Sequence, residues 1–370
     1  MDIASTASFF ALMKTTSFYF ALGRPLSPIY SLAMRLREGW YRRGILRSYR
    51  LDVPVLSVGN LTLGGTGKTP MVQHLARLLQ NHDFRPAVVS RGYGGKATGK
   101  VNLVSDGSNL LLDARSAGDE PRLLAETLPG VPVLTGIVRR LPAQRAIDMG
   151  ADVLVLDDGF QHLQIVRDIN LVLFNTDRLA GNSRVFPGGD LREPVVALHR
   201  ATGFVMTGVQ EANRDRAQRF GDLLRAKFPD IPVAQAGYRA DCLVGISPAR
   251  MIEPLAAEPL PPEKKYFGFC GIAHPESFRR TVIDLGVELT GFFPLDDHQH
   301  YSKSLVDRLL AEARRSGADG LLTTEKDLVK LAALTDGLPL PLHGVRMEVA
   351  TETPFFEDIL QAVRTWRKPA

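Results

Sequence analysis

The chain has 370 residues, 45% of them hydrophobic and 23% charged. That length is more than one compact domain usually holds and points to two, and the composition is that of a globular protein able to bury real cores, not of a disordered chain. The formal net charge of +5, from 45 Lys and Arg against 40 Asp and Glu, is mild. It suits an anionic substrate or a membrane surface and does not by itself indicate nucleic acid.

The N-terminus reads ASFFALMKTTSFYFAL over 7–22, apolar apart from Lys14, and is followed by Pro25, Pro28 and SLAMRLREGWYRRGILRSYR. The apolar run is shorter than the roughly 20 residues of a clean span. Its first charge is Asp2, so it lacks the basic start of a signal peptide. An apolar helix followed by Arg35, Arg37, Arg42, Arg43, Arg47 and Arg50 with Trp40 and Tyr41 suits a membrane interface. A helix packed on the protein's own core is the alternative.

Residues 53–58 (VPVLSV) read as a buried strand, and apolar positions 71, 72, 75, 78 and 79 give the spacing of a helix. Further apolar runs at 86–90, 131–135, 151–158, 169–175 and 203–208 alternate with helix-compatible segments such as 119–128 and 141–149. This predicts an α/β fold with a mostly parallel sheet covered on both faces. An Arg-rich helix is expected over 211–227, then short strand pieces at PVAQAGY and CLVGIS and a Pro/Glu-rich connector at 253–265. A second, smaller α/β unit resumes at YFGFCGIAH and DGLLTTEKD. The expected division is an N-terminal membrane-associated helix at 1–30, a P-loop domain at 31–215 and a second domain at 216–370 closing over the site. Cys242 and Cys270 form no CxxC or Cys/His cluster. They offer no zinc site and suit a reducing cytosol, although a single bridge between them stays open.

Between the first strand and helix lies GNLTLGGTGKTP. A full phosphate-loop pattern wants Gly where Thr62 stands, but Gly64, Gly65, Gly67, Lys68 and Thr69 are in place, with Leu63 and Thr66 between them. Glycines let backbone N–H groups face phosphate oxygens, and the helix that follows favours anions at its start. Lys68 suits the β- and γ-phosphates of ATP and Thr69 suits Mg²⁺. A strand at ADVLVLDDGFQH ends in Asp157 and Asp158, the expected further Mg²⁺ anchors, with Gln161 and His162 following. SRGYGG offers Arg91 and Tyr93 on a flexible loop, and AGDEP places Asp119 and Glu120 before a helix as caps or as a base for a hydroxyl.

GNLTLGGTGKTP, SRGYGG, AGDEP, LDDGFQH, FPGGDLREP, FCGIAHPESF, DDHQHY and TTEKD occur in that order. Together they resemble the tetraacyldisaccharide 4′-kinase family, over about residues 25–330. Thr62 suits that family's loop, GNxTxGGxGKTP. The resemblance implies transfer of the γ-phosphate of ATP to the 4′-hydroxyl of a tetraacyldisaccharide 1-phosphate. The product is lipid IVA, made at the cytoplasmic face of the bacterial inner membrane. It implies ATP and Mg²⁺ as cofactors, the lipid A precursor and inner-membrane lipids as partners, no nucleic acid, and a monomer. It also implies Asp119 as the base, assisted by His298 of DDHQHY, with His274 of GIAHPESF as second choice. Arg91, Tyr93, Gln161, His162, Arg192 and Glu193 become substrate or phosphate contacts. Asp190 departs from the family's GPLREP, while Leu-Arg-Glu-Pro is intact. The alternative function is a membrane-associated P-loop switch ATPase. Leu63, where such ATPases carry Lys, counts against it, and the chain lacks the NKxD of a GTPase.

Overall fold

The computed structural model describes residues 19–247, 251–255, 264–273, 275–297, 299–335, 337–351 and 353–367. Most of the apolar run at 7–22, with Lys14, lies outside the described residues, as do His274 and His298.

Ser27–Arg42 forms helix α1, with Pro28 in its first turn where a missing N–H costs nothing. None of its residues is buried. Ile29, Leu32, Leu36 and Trp40 are exposed, and their spacing places them on one stripe. The other side docks through polar bonds. Ser27 Oγ donates to Val185 O and accepts from Gly188 N, both at 2.8 Å, and Tyr30 Oη donates to Arg192 O at 3.1 Å. Arg37 reaches Gln161 O at 3.1 Å and Glu193 at 3.7 Å. Glu38 meets His199 at 2.9 Å. Among the described residues no helix is long and apolar enough to cross a membrane.

Val55–Asn60 (β1) is buried throughout, as a parallel strand covered on both faces must be. Lys68–Gln80 (α2) buries Met71, Val72, Leu75, Ala76 and Leu79. Then follow Pro86–Ser90 (β2), Asn102–Ser105 (β3), Ala114–Ala117 (α3), Asp119–Thr127 (α4), Val133–Thr135 (β4), Arg140–Asp148 (α5), Val153–Asp157 (β5), Ile169–Asn175 (β6), Gly203–Thr207 (β7) and Arg214–Lys227 (α6). The second half comprises Val233–Ile246 (β8), Ile252–Pro254 (β9), Lys265–Cys270 (β10), Pro275–Asp284 (α7), Glu288–Pro294 (β11), Lys303–Arg315 (α8), Gly320–Thr324 (β12), Glu325–Leu331 (α9), Leu342–Thr351 (β13) and Thr353–Thr365 (α10).

One sheet runs through both halves in the order β11-β10-β12-β13-β8-β7-β6-β1-β5-β2-β4-β3, with β9 beside β8. It is parallel except where β3 meets β4, β13 meets β8 and β9 meets β8. The two strand pieces expected at PVAQAGY and CLVGIS are a single 14-residue strand, β8. Its start pairs with β7 and its length with β13, so its backbone groups find partners throughout and the halves are stitched together. The 215/216 division falls in the first turn of α6. That helix packs Ala217, Phe220 and Leu224 on Val172, Phe174 and Phe204. At the chain's end, Phe356, Ile359 and Leu360 of α10 share a core with Leu75 and Leu79 of α2. Cys242 and Cys270 are both free thiols.

Candidate active site

Strands β6, β1, β5, β2 and β4 are mutually parallel, so the loops at their carboxyl ends share one edge, where open α/β sheets bind ligands. The phosphate loop leaves β1 there. Thr62 is buried in an antiparallel bridge with Leu191, an extended role that Thr fills as well as Gly. The left-handed positions fall at Gly64 (φ 103°) and Gly67 (φ 77°). Leu63 N donates to Asp190 O at 2.6 Å, and Thr66 O accepts from Thr207 Oγ1 at 2.8 Å. A methyl group on Gly67 would lie 1.6 Å from Tyr238 Oη, so only glycine fits. No described side chain caps α2, whose first-turn N–H groups therefore face the loop.

Asp190 is seated by contacts that do not need proline. Its carbonyl receives Leu63, and its Oδ1 accepts from Asn182 N at 3.1 Å.

Lys68 Nζ lies 3.4 Å from Asn60 Oδ1 and 3.6 Å from Asp158 Oδ1. Asp158 also takes both carboxylate oxygens to Arg192 Nη1, at 2.9 and 2.8 Å, and its carbonyl accepts from Arg139 at 2.8 Å. Burial alone would raise the Asp158 carboxyl; Lys68 and Arg192 outweigh it and hold the group below the usual range. Asp157 is different. It is fully buried, and its Oδ2 accepts from Ser90 Oγ at 3.1 Å. Its Oδ1 has no hydrogen-bond partner among the described residues. Burial, then the charges of Glu120 and Asp158, push its carboxyl up to about 7.

A buried carboxylate oxygen without a donor is a position that a cation completes. Among the described residues no group of three or more His, Cys, Asp or Glu side chains could hold a metal. Mg²⁺ needs no such cage, since it takes one or two carboxylates and leaves the rest to water and phosphate. Asp157, Asp158 and Thr69 fit that demand.

The other predicted residues divide. Gln161 Nε2 donates to Asn60 O at 2.8 Å, so its amide braces the phosphate loop. Glu193 is buried and paired with Arg200 and Arg37. That pairing ties α1 to the site. His162 is kept neutral, with its imidazole pushed down to about 3 by burial and then by Arg139 and Arg167. Arg91 and Tyr93 are exposed on the loop after β2, Tyr93 at 77%. Asp119 opens α4, with its carboxylate 3.5 Å from Lys330 Nζ. Sequence reasoning missed Arg139, which is 4% exposed beside both acids. Its only signal was a position just past the end of β4.

Residues 19–364 match the family described as Tetraacyldisaccharide-1-P 4'-kinase. A tetraacyldisaccharide 4'-kinase of Desulfotalea psychrophila is 43% identical over 350 residues, 94% of this chain and 98% of the relative. One from Syntrophus aciditrophicus is 41% identical, over 91% of each chain. A crystal structure of LpxK from Aquifex aeolicus in complex with ATP superposes with a TM-score of 0.71 at 29% identity, over 92% of this chain and 96% of that one. With the phosphate loop, the acid pair and the sheet edge in place, the chain belongs to the tetraacyldisaccharide 4′-kinase family.

Proposed function

We infer that the chain is an ATP-dependent kinase that phosphorylates the 4′-hydroxyl of tetraacyldisaccharide 1-phosphate, giving lipid IVA. The observation that carries this is the meeting of Lys68, Asp158 and the donor-free oxygen of Asp157 at the mouth of a phosphate loop, in a chain matched to the family over nearly its whole length. When bound, ATP and Mg²⁺ supply the γ-phosphoryl group and the charge that offsets its oxygens. Lys68 and the α2 N–H groups would hold the phosphates; Thr69, Asp157 and Asp158 would hold the metal. Asp119 accepts the proton of the attacking hydroxyl, whose own pKa lies far above neutral. Arg192 and Arg139 keep Asp158 oriented and add positive charge where negative charge gathers.

The substrate's acyl chains belong in a bilayer. The exposed stripe of Ile29, Leu32, Leu36 and Trp40 on α1 supports docking at the cytoplasmic face of the inner membrane, beside the site that α1 itself touches. Anionic vesicles should carry the wild type upward in a flotation gradient and leave Leu32→Glu/Leu36→Glu at the bottom; equal flotation would remove α1 from the docking surface.

The function is tested with γ-labelled ATP and tetraacyldisaccharide 1-phosphate in detergent. Wild type should label the lipid and Lys68→Ala should not, a loss of at least about 10²-fold. ATP hydrolysis without labelled lipid would overturn the kinase in favour of a switch ATPase.

A further inference from the structure

Helix α9 starts in the TTEKD segment, and its charged side chains are not on the protein's surface. Thr324 caps it, accepting from Asp327 N at 3.1 Å. The Asp327 carboxylate is fully buried. Its Oδ2 accepts from Thr324 Oγ1 at 2.7 Å and from Gly271 N, in the GIAHPESF segment, at 2.9 Å. Its Oδ1 pairs with Lys330 Nζ at 3.2 Å. The Lys330 side chain is only 7% exposed. Its ammonium also lies 3.5 Å from Asp119 Oδ2 and 5.8 Å from the centre of the Tyr301 ring. Lys326, one turn earlier on the same face, reaches Glu120 Oε1 at 3.3 Å and Asp297 Oδ1 at 3.8 Å. Two lysines from the second half thus meet the two acids that open α4.

A solvated lysine–carboxylate pair adds little stability and gives no reason to bury a lysine. Lys330 is enclosed, and enclosing an ammonium is costly unless a partner repays the lost hydration. Asp327 does so from behind and leaves the ammonium facing Asp119. The charged and titratable groups near the Asp119 carboxylate include Lys330 and Asp327 of α9, Tyr301 ahead of α8, and Glu120 beside it in α4.

We propose that Lys330 is a positioning residue for phosphate transfer: braced by Asp327, it sets its ammonium against the Asp119 carboxylate and fixes it in place, so that the base is set by the docking of α9 on α4. This rests on the reading of Asp119 as the proton acceptor. An opposite charge this close favours the ionised form of a carboxyl over the neutral one.

The test is kcat and KM of the full-length enzyme from pH 5 to 9, with ATP, Mg²⁺ and tetraacyldisaccharide 1-phosphate in micelles, alongside melting temperatures. Lys330→Met should lower kcat about 10- to 100-fold, leave the KM for ATP within about twofold, and move the acidic limb of kcat up by about one pH unit or more. Lys330→Arg should return the limb to its wild-type place. A limb that stays put in Lys330→Met, whatever the kcat, overturns the proposal and leaves Lys330 as mere glue between helices. If Lys330→Met does not fold, Asp327→Asn asks the same question through the brace. It releases Lys330 from its place against Asp119, so kcat should fall and the limb should move up as in Lys330→Met, and an unmoved limb overturns the proposal. Asp119→Asn separates the two readings. If that variant keeps its kcat, the base assignment falls and takes the proposal with it. If it is inactive while Lys330→Met keeps the wild-type limb, only the Lys330 proposal falls.

Discussion

At the phosphate end of the site, Lys68, Asp157 and Asp158 follow two adjacent strands whose register pairs Val58 with Asp157. At the acceptor end, Asp119 and Glu120 meet Lys330 and Lys326 across a separation of 206 residues for Glu120 and Lys326. The first arrangement is set once β1 and β5 pair. The second exists only when the far half of the chain is folded and seated. The two ends also treat their acids differently. Asp158 is paired with Lys68 and Arg192, Asp157 is buried with an oxygen to spare, and Asp119 faces the braced Lys330. On the proposed function, phosphate and metal binding falls to one edge of the sheet and proton transfer to a junction between halves.

The sharpest way to break that comparison is to remove one acid from each end. Asp119→Asn should lose about 10²–10⁴-fold in kcat while titration calorimetry finds ATP binding retained. Asp158→Asn should lose turnover and also weaken Mg²⁺-dependent ATP binding, because Lys68 and Arg192 are left without their shared counter-ion. Equal ATP affinities in the two variants would erase the distinction between the ends.

A smaller effect separates the neighbours Asp157 and Asp158. The Asp157 carboxyl is raised from 3.8 to about 7. Its contribution to stability is therefore fully present below 3.8 and is lost as pH rises through about 7. His162, lowered from 6.5 to about 3, has the opposite sign: its contribution is present above 6.5 and lost as pH falls towards 3. In metal-free protein, the melting temperature of Asp157→Asn relative to wild type should therefore climb between pH 5 and 7. A flat difference would mean that Asp157 is ionised throughout.

The smallest expected effect lies at the docking of α1. Ser27→Ala removes the bonds to Val185 O and Gly188 N and should cost about 1–2 kcal/mol in denaturant unfolding. No change would show that α1 is held by Tyr30, Arg37 and Glu38 without help from Ser27.

Much of the phosphate end was legible because its parts are local. A buried β-branched strand, a glycine loop, a helical stripe and a strand ending in two acids each carry their own signal within a dozen residues. The use of Thr62 was not legible as physics, since its bridge partner Leu191 is distant in the chain. Nor was β8, whose burial alternates irregularly because it changes partner from β7 to β13 along its length. Gln161 and Glu193 sit in the expected motifs, but their side chains are committed to Asn60 and to Arg200 with Arg37.

By itself the sequence determined the α/β class, the phosphate loop, the pair of acids at the end of β5 and the kinase family, because periodicity, glycine placement and ordered motifs are properties of short segments. Only the tertiary structure decided which acid is left with an oxygen to spare, that Arg139 stands over both, and that Lys330 and Asp327 back the Asp119 carboxylate. Those outcomes depend on burial and on charges a few ångströms apart in space. Neither quantity is written in the spacing of residues along the chain.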